Sequence, residues 1–302
     1  MNKEIKTLVD SLREQTVGKT CMGTGNFSFD VITQQEYPDG FVVGKRNKSE
    51  ERILKMEVGN TCGNVMTMLP YLGVKTFPVA KLDMSPHGYQ MKRDMKAYGA
   101  DVRYVSNTLS GATTILRCVH KLDKEGKPTM GHKGSTAGKP WNGPSARPAR
   151  KYLSSQNGEV DAMVDAMDFT PDVFFFDIVQ AGHRLLAERL REKGTLVYFE
   201  GDSNWNKIQD EKQRQAAYRA FLRCVDASDV VKMSGELVKD PLCSPDPRPA
   251  SGACSRQNSQ AFPRIHPSRS AILHWDGMKR STEPSVSAGV HCQSCPLPRT
   301  SS

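Results

Sequence analysis

The sequence has no apolar run of eighteen residues, so no stretch of it reads as a membrane-spanning helix. Its opening, Met1 to Thr20, is a polar amphipathic stretch with Ile5, Leu8, Val9 and Leu12, and it lacks the apolar core of a secretion signal. Together these absences predict a soluble, cytoplasmic protein. Metal-ligand spacing is also missing: His87, His120, His132 and His183 stand apart from one another and read as surface or packing residues. Aromatic residues make up only 7% of the chain. Trp141 and Tyr152 are the only ones beside its most basic loop, which leaves a nucleic-acid groove little on which to stack bases.

What the chain does have is 302 residues, enough for one large core or two modest ones, and a net charge of +9. Part of that charge lies beyond Pro241, where seven Lys or Arg face three acids. Part lies in the segment from Lys127 to Lys151, which holds six Lys or Arg, four prolines and no acid, and reads as a surface loop. Of the eight cysteines, Cys21, Cys62, Cys118 and Cys224 have apolar neighbours and read as reduced core thiols. Cys243, Cys254, Cys292 and Cys295 lie near the end in a Ser/Pro-rich background. His291 to Cys295 looks like half a metal knuckle without a second half, so no metal site is expected.

Along the chain, Lys19 to Thr33 alternates toward a first strand ending near Asp30, with β-like pieces at Gly40 to Val43 and Ile53 to Val58 around a charged connection. Val65 to Leu72 reads as a helix, Lys75 to Lys81 as a strand, and Pro86 to Tyr98 as an amphipathic helix closed by Gly99. Asp101 to Tyr104 and Thr113 to His120 are strand candidates. From Asp161 the pattern is regular: a helix, the strand Asp172 to Val179 with its doubly buried Val173 to Phe176 run, the helix Ala181 to Lys193, the strand Thr195 to Phe199, the helix Asp210 to Val225 and the strand Asp229 to Met233. Strands alternating with helices indicate βαβ units and a parallel sheet covered on both faces. Beyond Asp240 the composition changes, with nine prolines and twelve serines in 62 residues, and the segment 241–302 reads as a disordered extension or as sequence outside the ancestral reading frame.

The most informative local feature is Gly59-Asn60-Thr61-Cys62-Gly63-Asn64, which joins a glycine- and amide-rich turn to an apolar helix. Such a turn lets a small polar ligand approach the backbone, and the amides of Asn60 and Asn64 both donate and accept, as hydroxyl groups require. An ordinary capped strand-to-helix turn is the plainer alternative. In a parallel sheet, ligands gather at the carboxyl ends of strands, which places Gly201, Asp202, Asn204, Ser234 and Glu236 near any site.

Asp30 after a first strand, the Gly59 to Asn64 turn, Leu72-Gly73 and Gly99-Ala100-Asp101-Val102 together resemble the ribokinase-like (PfkB) carbohydrate kinases, as does Asp229-Val230-Val231-Lys232. The resemblance covers roughly residues 19 to 240. It implies a three-layer α/β sandwich around a mainly parallel sheet in residues 1–240, with a small β lid from segments 40–58 and 101–120, incomplete toward the C-terminus. It further implies transfer of the γ-phosphoryl group of ATP, with Mg²⁺, to a hydroxyl of a sugar or related alcohol, and pairing of two copies through the lid. By position, Asp30, Gly59, Asn60 and Asn64 would bind the sugar, with Gly111 and Thr113 on the lid strand facing it. Asp202, Asn204, Lys232 and Glu236 would lie near nucleotide or metal.

Two departures divide the functional expectation. The family's catalytic base is the aspartate of a Gly-Ala-Gly-Asp segment, and that tetrapeptide occurs nowhere in this sequence. Lys232-Met233-Ser234-Gly235-Glu236 also carries Ser234 where the family's Asn-x-x-Glu motif has asparagine. A phosphate-loop candidate, Gly134 to Pro140, is one residue short of the Walker pattern and reads as accidental. The alternatives are therefore a carbohydrate kinase and a non-catalytic, sugar-binding or interaction remnant of one.

Overall fold

The computed structural model describes residues 3–137, 153–156, 158–201, 208–234 and 271–275. The helix α1 (Lys3–Thr16) leads into β1 (Thr20–Thr24), β2 (Ser28–Glu36), β3 (Glu50–Gly59), α2 (Asn60–Met68), a 3₁₀ turn (Leu69–Leu72), β4 (Lys75–Leu82) and α3 (Pro86–Ala97). There follow a second 3₁₀ turn (Val102–Tyr104), β5 (Val105–Asn107), β6 (Thr113–Leu122), β7 (Pro128–Ala137), α4 (Glu159–Asp165), β8 (Val173–Phe176), α5 (Ala181–Glu192), β9 (Leu196–Glu200), α6 (Glu211–Asp226), β10 (Val230–Ser234) and β11 (Ala271–Trp275).

The main sheet runs β11-β10-β9-β8-β1-β4-β5 with every neighbouring pair parallel. Strand alternation divides its side chains between two cores. Met22, Phe174, Phe176, Val197, Phe199 and Val231 pack on one face with Val160 and Val164 of α4, Leu186 and Leu190 of α5, and Phe221 and Cys224 of α6. Cys21 and Phe175 pack on the other with Cys62 and Met66 of α2 and Met91 and Met95 of α3. The protein is thus a three-layer α/β sandwich, and the Val173 to Phe176 run is buried on both faces as its composition predicts. Phe176 and Phe199 stack with ring centroids 4.6 Å apart. Burying each such ring contributes on the order of 1.5–3 kcal/mol.

A second sheet, in the order β3-β2-β6-β7, rises from the carboxyl ends of the main strands. β2 pairs antiparallel with β3 and parallel with β6, and β6 and β7 form an antiparallel hairpin closed by the Asp123 to Gly126 turn.

Four sequence expectations change here. The single strand expected over Lys19 to Thr33 is two strands in different sheets, because the chain turns at Gly25, whose φ of +148° is open to glycine. Gly40 to Val43 forms no strand. Asp101 to Tyr104 contains a 3₁₀ turn rather than a strand, since the Asp101 carboxylate accepts the Arg103 N–H at 3.2 Å and curls the chain. The front of the basic 127–151 segment is the strand β7, which its polar composition concealed, and the rest, up to residue 152, lies outside the described residues. The second sheet is accordingly built from 28–36, 50–59, 113–122 and 128–137 rather than from 40–58 and 101–120.

Beyond residue 240, β11 is the one described element; the proposed knuckle at His291 to Cys295 lies outside the described residues. Among the described residues no helix is long and apolar enough to cross a membrane. Cys21, Cys62, Cys118 and Cys224 are buried, as expected of core thiols.

Candidate functional site

Where the second sheet meets the main one, β3 runs directly into α2 through Gly59 and Asn60. The antiparallel register sets Ser28 opposite Gly59 and Asp30 opposite Glu57, so strand alternation turns Ser28 and Asp30 to one face. The Asp30 carboxylate lies against the Gly59 backbone: a Cβ at Gly59 would stand 1.9 Å from Asp30 Oδ2. The Ser28 hydroxyl donates to Asp30 Oδ1. Asp30 is half-buried, and its charge reaches Cys118, whose thiol is pushed up first by burial and then by that carboxylate.

Asn60 has a φ of +65°, the left-handed region that asparagine and glycine tolerate best, so asparagine serves where the resembled family has its second glycine. Its Oδ1 accepts the Thr61 N–H at 2.9 Å, and the residue is half-buried. Asn64 follows one helical turn later on the same face of α2 and is exposed. Asp30, Gly59 and Asn60 are therefore adjoining, with Asn64 one turn along. A carboxylate and two amides of this kind offer acceptors and donors suited to a polyol.

Gly111 and Thr113 are engaged elsewhere. Gly111 packs on the Leu82 backbone at the end of β4. Thr113 is fully buried, and its hydroxyl donates to Asp83 Oδ1 at 2.7 Å, alongside the Ser85 hydroxyl at 2.6 Å. These contacts latch β6 to the end of β4. The residue registered against Ser28, on the face that carries Asp30, is Thr114.

Sequence reasoning missed Asp177, which follows β8 and is 5% exposed. Its Oδ1 accepts the Asn26 N–H at 2.7 Å and its Oδ2 accepts the Cys62 N–H at 3.0 Å. Cys62 is the third residue of α2, and the preceding cap residue, Gly59, has no side chain to satisfy that helix end. Burial raises the Cys62 thiol well above its ordinary value, with Asp177 adding to the effect, so the thiol stays protonated and inert. No local signal could reveal Asp177, because its two partners lie 151 and 115 residues away.

At the other end of the sheet, the Lys232 ammonium donates to Glu200 Oε1 at 2.6 Å, so its charge is already matched by a carboxylate. Asp202, Asn204 and Glu236 lie outside the described residues. Among the described residues no group of three or more His, Cys, Asp or Glu stands together as a metal site. The Gly134 to Ala137 part of the Walker-like segment is extended strand, not a phosphate loop.

A cavity of about 220 Å³ at the ends of β1 and β4 is lined by Thr24, Lys81, Tyr104, Ser106 and Glu159, with Lys81 and Glu159 in an ion pair. Asp30 and the Gly59 turn are not among its walls.

No protein-family model matches the sequence, and no curated protein matches it significantly. Solved structures do. A proposed ribokinase II from E. coli, solved in its apo form, superposes with a TM-score of 0.51 at 13% identity, over 76% of this chain and 66% of its own. The chain has the ribokinase-like fold. An uncharacterized sugar kinase from Pyrococcus horikoshii matches at 15% identity over 73% of this chain and 64% of its own, with a TM-score of 0.47. Fructokinase from Xylella fastidiosa matches at 16% identity over 74% and 61%, also with a TM-score of 0.47. The ribokinase-like chain described here therefore spans less than two thirds of the length of each of these structures, and at such identities the likeness is one of fold.

Proposed function

We propose that the chain binds a sugar or related alcohol in the cradle of Asp30, Gly59, Asn60 and Asn64, and that the chemistry this cradle serves is phosphoryl transfer from ATP to a hydroxyl of that ligand. The observation that carries the reading is the seating of the Asp30 carboxylate on Gly59, beside an asparagine held at positive φ. A carboxylate takes two hydroxyl hydrogen bonds and an amide takes and gives one, which fixes a polyol's orientation. The resemblance to sugar kinases supplies the reaction class.

A second reading, binding without transfer, is favoured by two observations: the sequence contains no Gly-Ala-Gly-Asp base segment, and Lys232 is committed to Glu200. In both readings residues 1–240, with the strand β11 added to their sheet, form the kinase-like unit, in a reducing compartment such as the cytoplasm that suits the buried thiols of Cys21, Cys62 and Cys224. A second copy of the chain would pair through the edge strand β3, where Ile53 and Met56 are 57% and 54% exposed.

Calorimetric titration of the full chain with a panel of pentoses, hexoses and polyols tests the cradle. The parent is expected to bind at least one, and Asp30→Ala to lose about 10- to 100-fold in affinity, as removal of charge-assisted hydrogen bonds predicts. Equal binding by parent and variant would remove Asp30 from the site. ATP consumption that depends on the bound sugar selects transfer; binding with no consumption selects the second reading.

A further inference from the structure

We infer that Asp177 is the positioning residue of the sugar cradle, holding the Gly59 to Asn64 turn and the loop that delivers Asp30 at a fixed separation; the inference rests on the cradle reading above. Its carboxylate is buried at the end of β8, in the middle of the main sheet, and each oxygen accepts one backbone N–H from a different segment. One segment is Gly25-Asn26, four residues before Asp30. The other is the start of α2, which carries Asn60 and Asn64. The two segments also touch directly, with the Gly63 N–H donating to the Asn26 carbonyl at 3.2 Å.

Gly25 reports how closely the carboxylate approaches. A Cβ there would stand 1.8 Å from Asp177 Oδ1, and the φ of +148° is one that other residues rarely adopt. The loop is therefore built around the carboxylate. Asp30 lies on Gly59 on one side of the turn while Asp177 holds Cys62 on the other, so the turn is fixed between two carboxylates, one facing ligand and one facing the core. Asp177 acts through the backbone and is not a catalytic residue in this arrangement. A ligand that must meet Asp30 and Asn64 at once finds them already spaced, which is what preorganised recognition requires.

Asparagine at 177 keeps the shape but sets Nδ2, a donor, against one of the two N–H groups. The full-length chain is titrated calorimetrically with the sugar that the parent binds. Asp177→Asn is expected to lose at least tenfold in affinity, whereas Val197→Ala, a core control in β9 that also lowers the melting temperature, changes it less than twofold. Affinity in Asp177→Asn equal to that of the control would overturn the assignment. If the parent binds no sugar in the panel, the cradle reading fails by itself, and amide hydrogen exchange tests positioning separately. Cys62, Gly63 and Asn64 should then exchange at least tenfold faster in Asp177→Asn than in Val197→Ala, and equal rates would overturn it. Should Asp177→Asn not yield folded protein, Asp177→Ser is read in the same way. In the parent, a Cys62 or Asn26 amide without exchange protection overturns the inference outright.

Discussion

Substituting Gly59 by alanine separates the site from the fold, because the backbone there tolerates a side chain while the neighbouring carboxylate does not. Gly59 has φ −143° and ψ −157°, extended backbone open to alanine. The new Cβ would stand 1.9 Å from Asp30 Oδ2 and 2.2 Å from its Cγ, so the carboxylate has to withdraw by more than about 1 Å to reach an ordinary contact. Moving it costs about 0.5–1.5 kcal/mol of rotamer strain and about 1 kcal/mol for the Ser28 hydrogen bond. Stiffening the unfolded chain offsets about 0.4–1 kcal/mol of that. The net loss of stability is on the order of 1 kcal/mol, small enough to leave the protein folded.

The effect on binding is larger. Withdrawing Asp30 removes at least one charge-assisted hydrogen bond to a hydroxyl, worth about 1.5–3 kcal/mol, or roughly 10- to 150-fold in affinity. A double-mutant cycle with Asp30→Ala provides the assay, using calorimetric affinities for one sugar. Since both substitutions act through the same carboxylate, the double variant should bind no more weakly than Asp30→Ala alone. Additive losses in the cycle, or an affinity for Gly59→Ala within twofold of the parent, would refute the claim that Asp30 reads the ligand from its seat on Gly59.

Thr113→Val should lower stability by about 1–3 kcal/mol in chemical denaturation, because it removes a part-buried, charge-assisted hydrogen bond to Asp83, yet leave sugar affinity within twofold; a large affinity loss would return Thr113 to the site. Asp172 is held below the usual carboxylate range, chiefly by the Thr20 hydroxyl and then by the Thr20 N–H, so its stabilisation is present above the unfolded value of about 4 and is lost as pH falls through the depressed folded value. The melting temperature should therefore fall from pH 5 to pH 3 less steeply in Asp172→Asn than in the parent, and parallel slopes would contradict it. Ile53→Lys on the edge of β3 should shift sedimentation toward monomer if two copies pair there; a sedimentation coefficient equal to the parent's at matched concentration would remove that interface.

The parts of the fold visible in the sequence are those whose forces are local. From Asp161 to Met233 the apolar period switches cleanly between strand and helix, and β8, α5, β9, α6 and β10 emerge close to their expected limits. The second sheet was harder to see, because its edge strand β3 is exposed along most of its length and β7 is mostly polar in sequence. β3 has burial only at its last three residues, and β7 is rich in glycine and hydroxyl residues as a loop would be. Apolar periodicity signals a strand only when one face meets a core. β1 and β2 fused into one expected strand for the opposite reason: alternation continues across Gly25, and nothing in the residues announces that the chain changes sheets there.

The site divides along the same line. Asp30 and the Gly59 turn could be picked out as a candidate site because the chemistry that recommends them lies in their own side chains and in glycine's freedom, both of which are written locally. Asp177 could not, since a buried aspartate after Phe176 has meaning only once the sheet order sets β8 beside β1 and brings Asn26 and Cys62 to its two oxygens. The same holds for Glu200, which decides what Lys232 can do. Parallel pairing sets Glu200 opposite Lys232, and the resulting ion pair ties β9 to β10. Groups proposed to touch a ligand can thus be read from residue type, whereas those that place or neutralise them depend on which strands become neighbours.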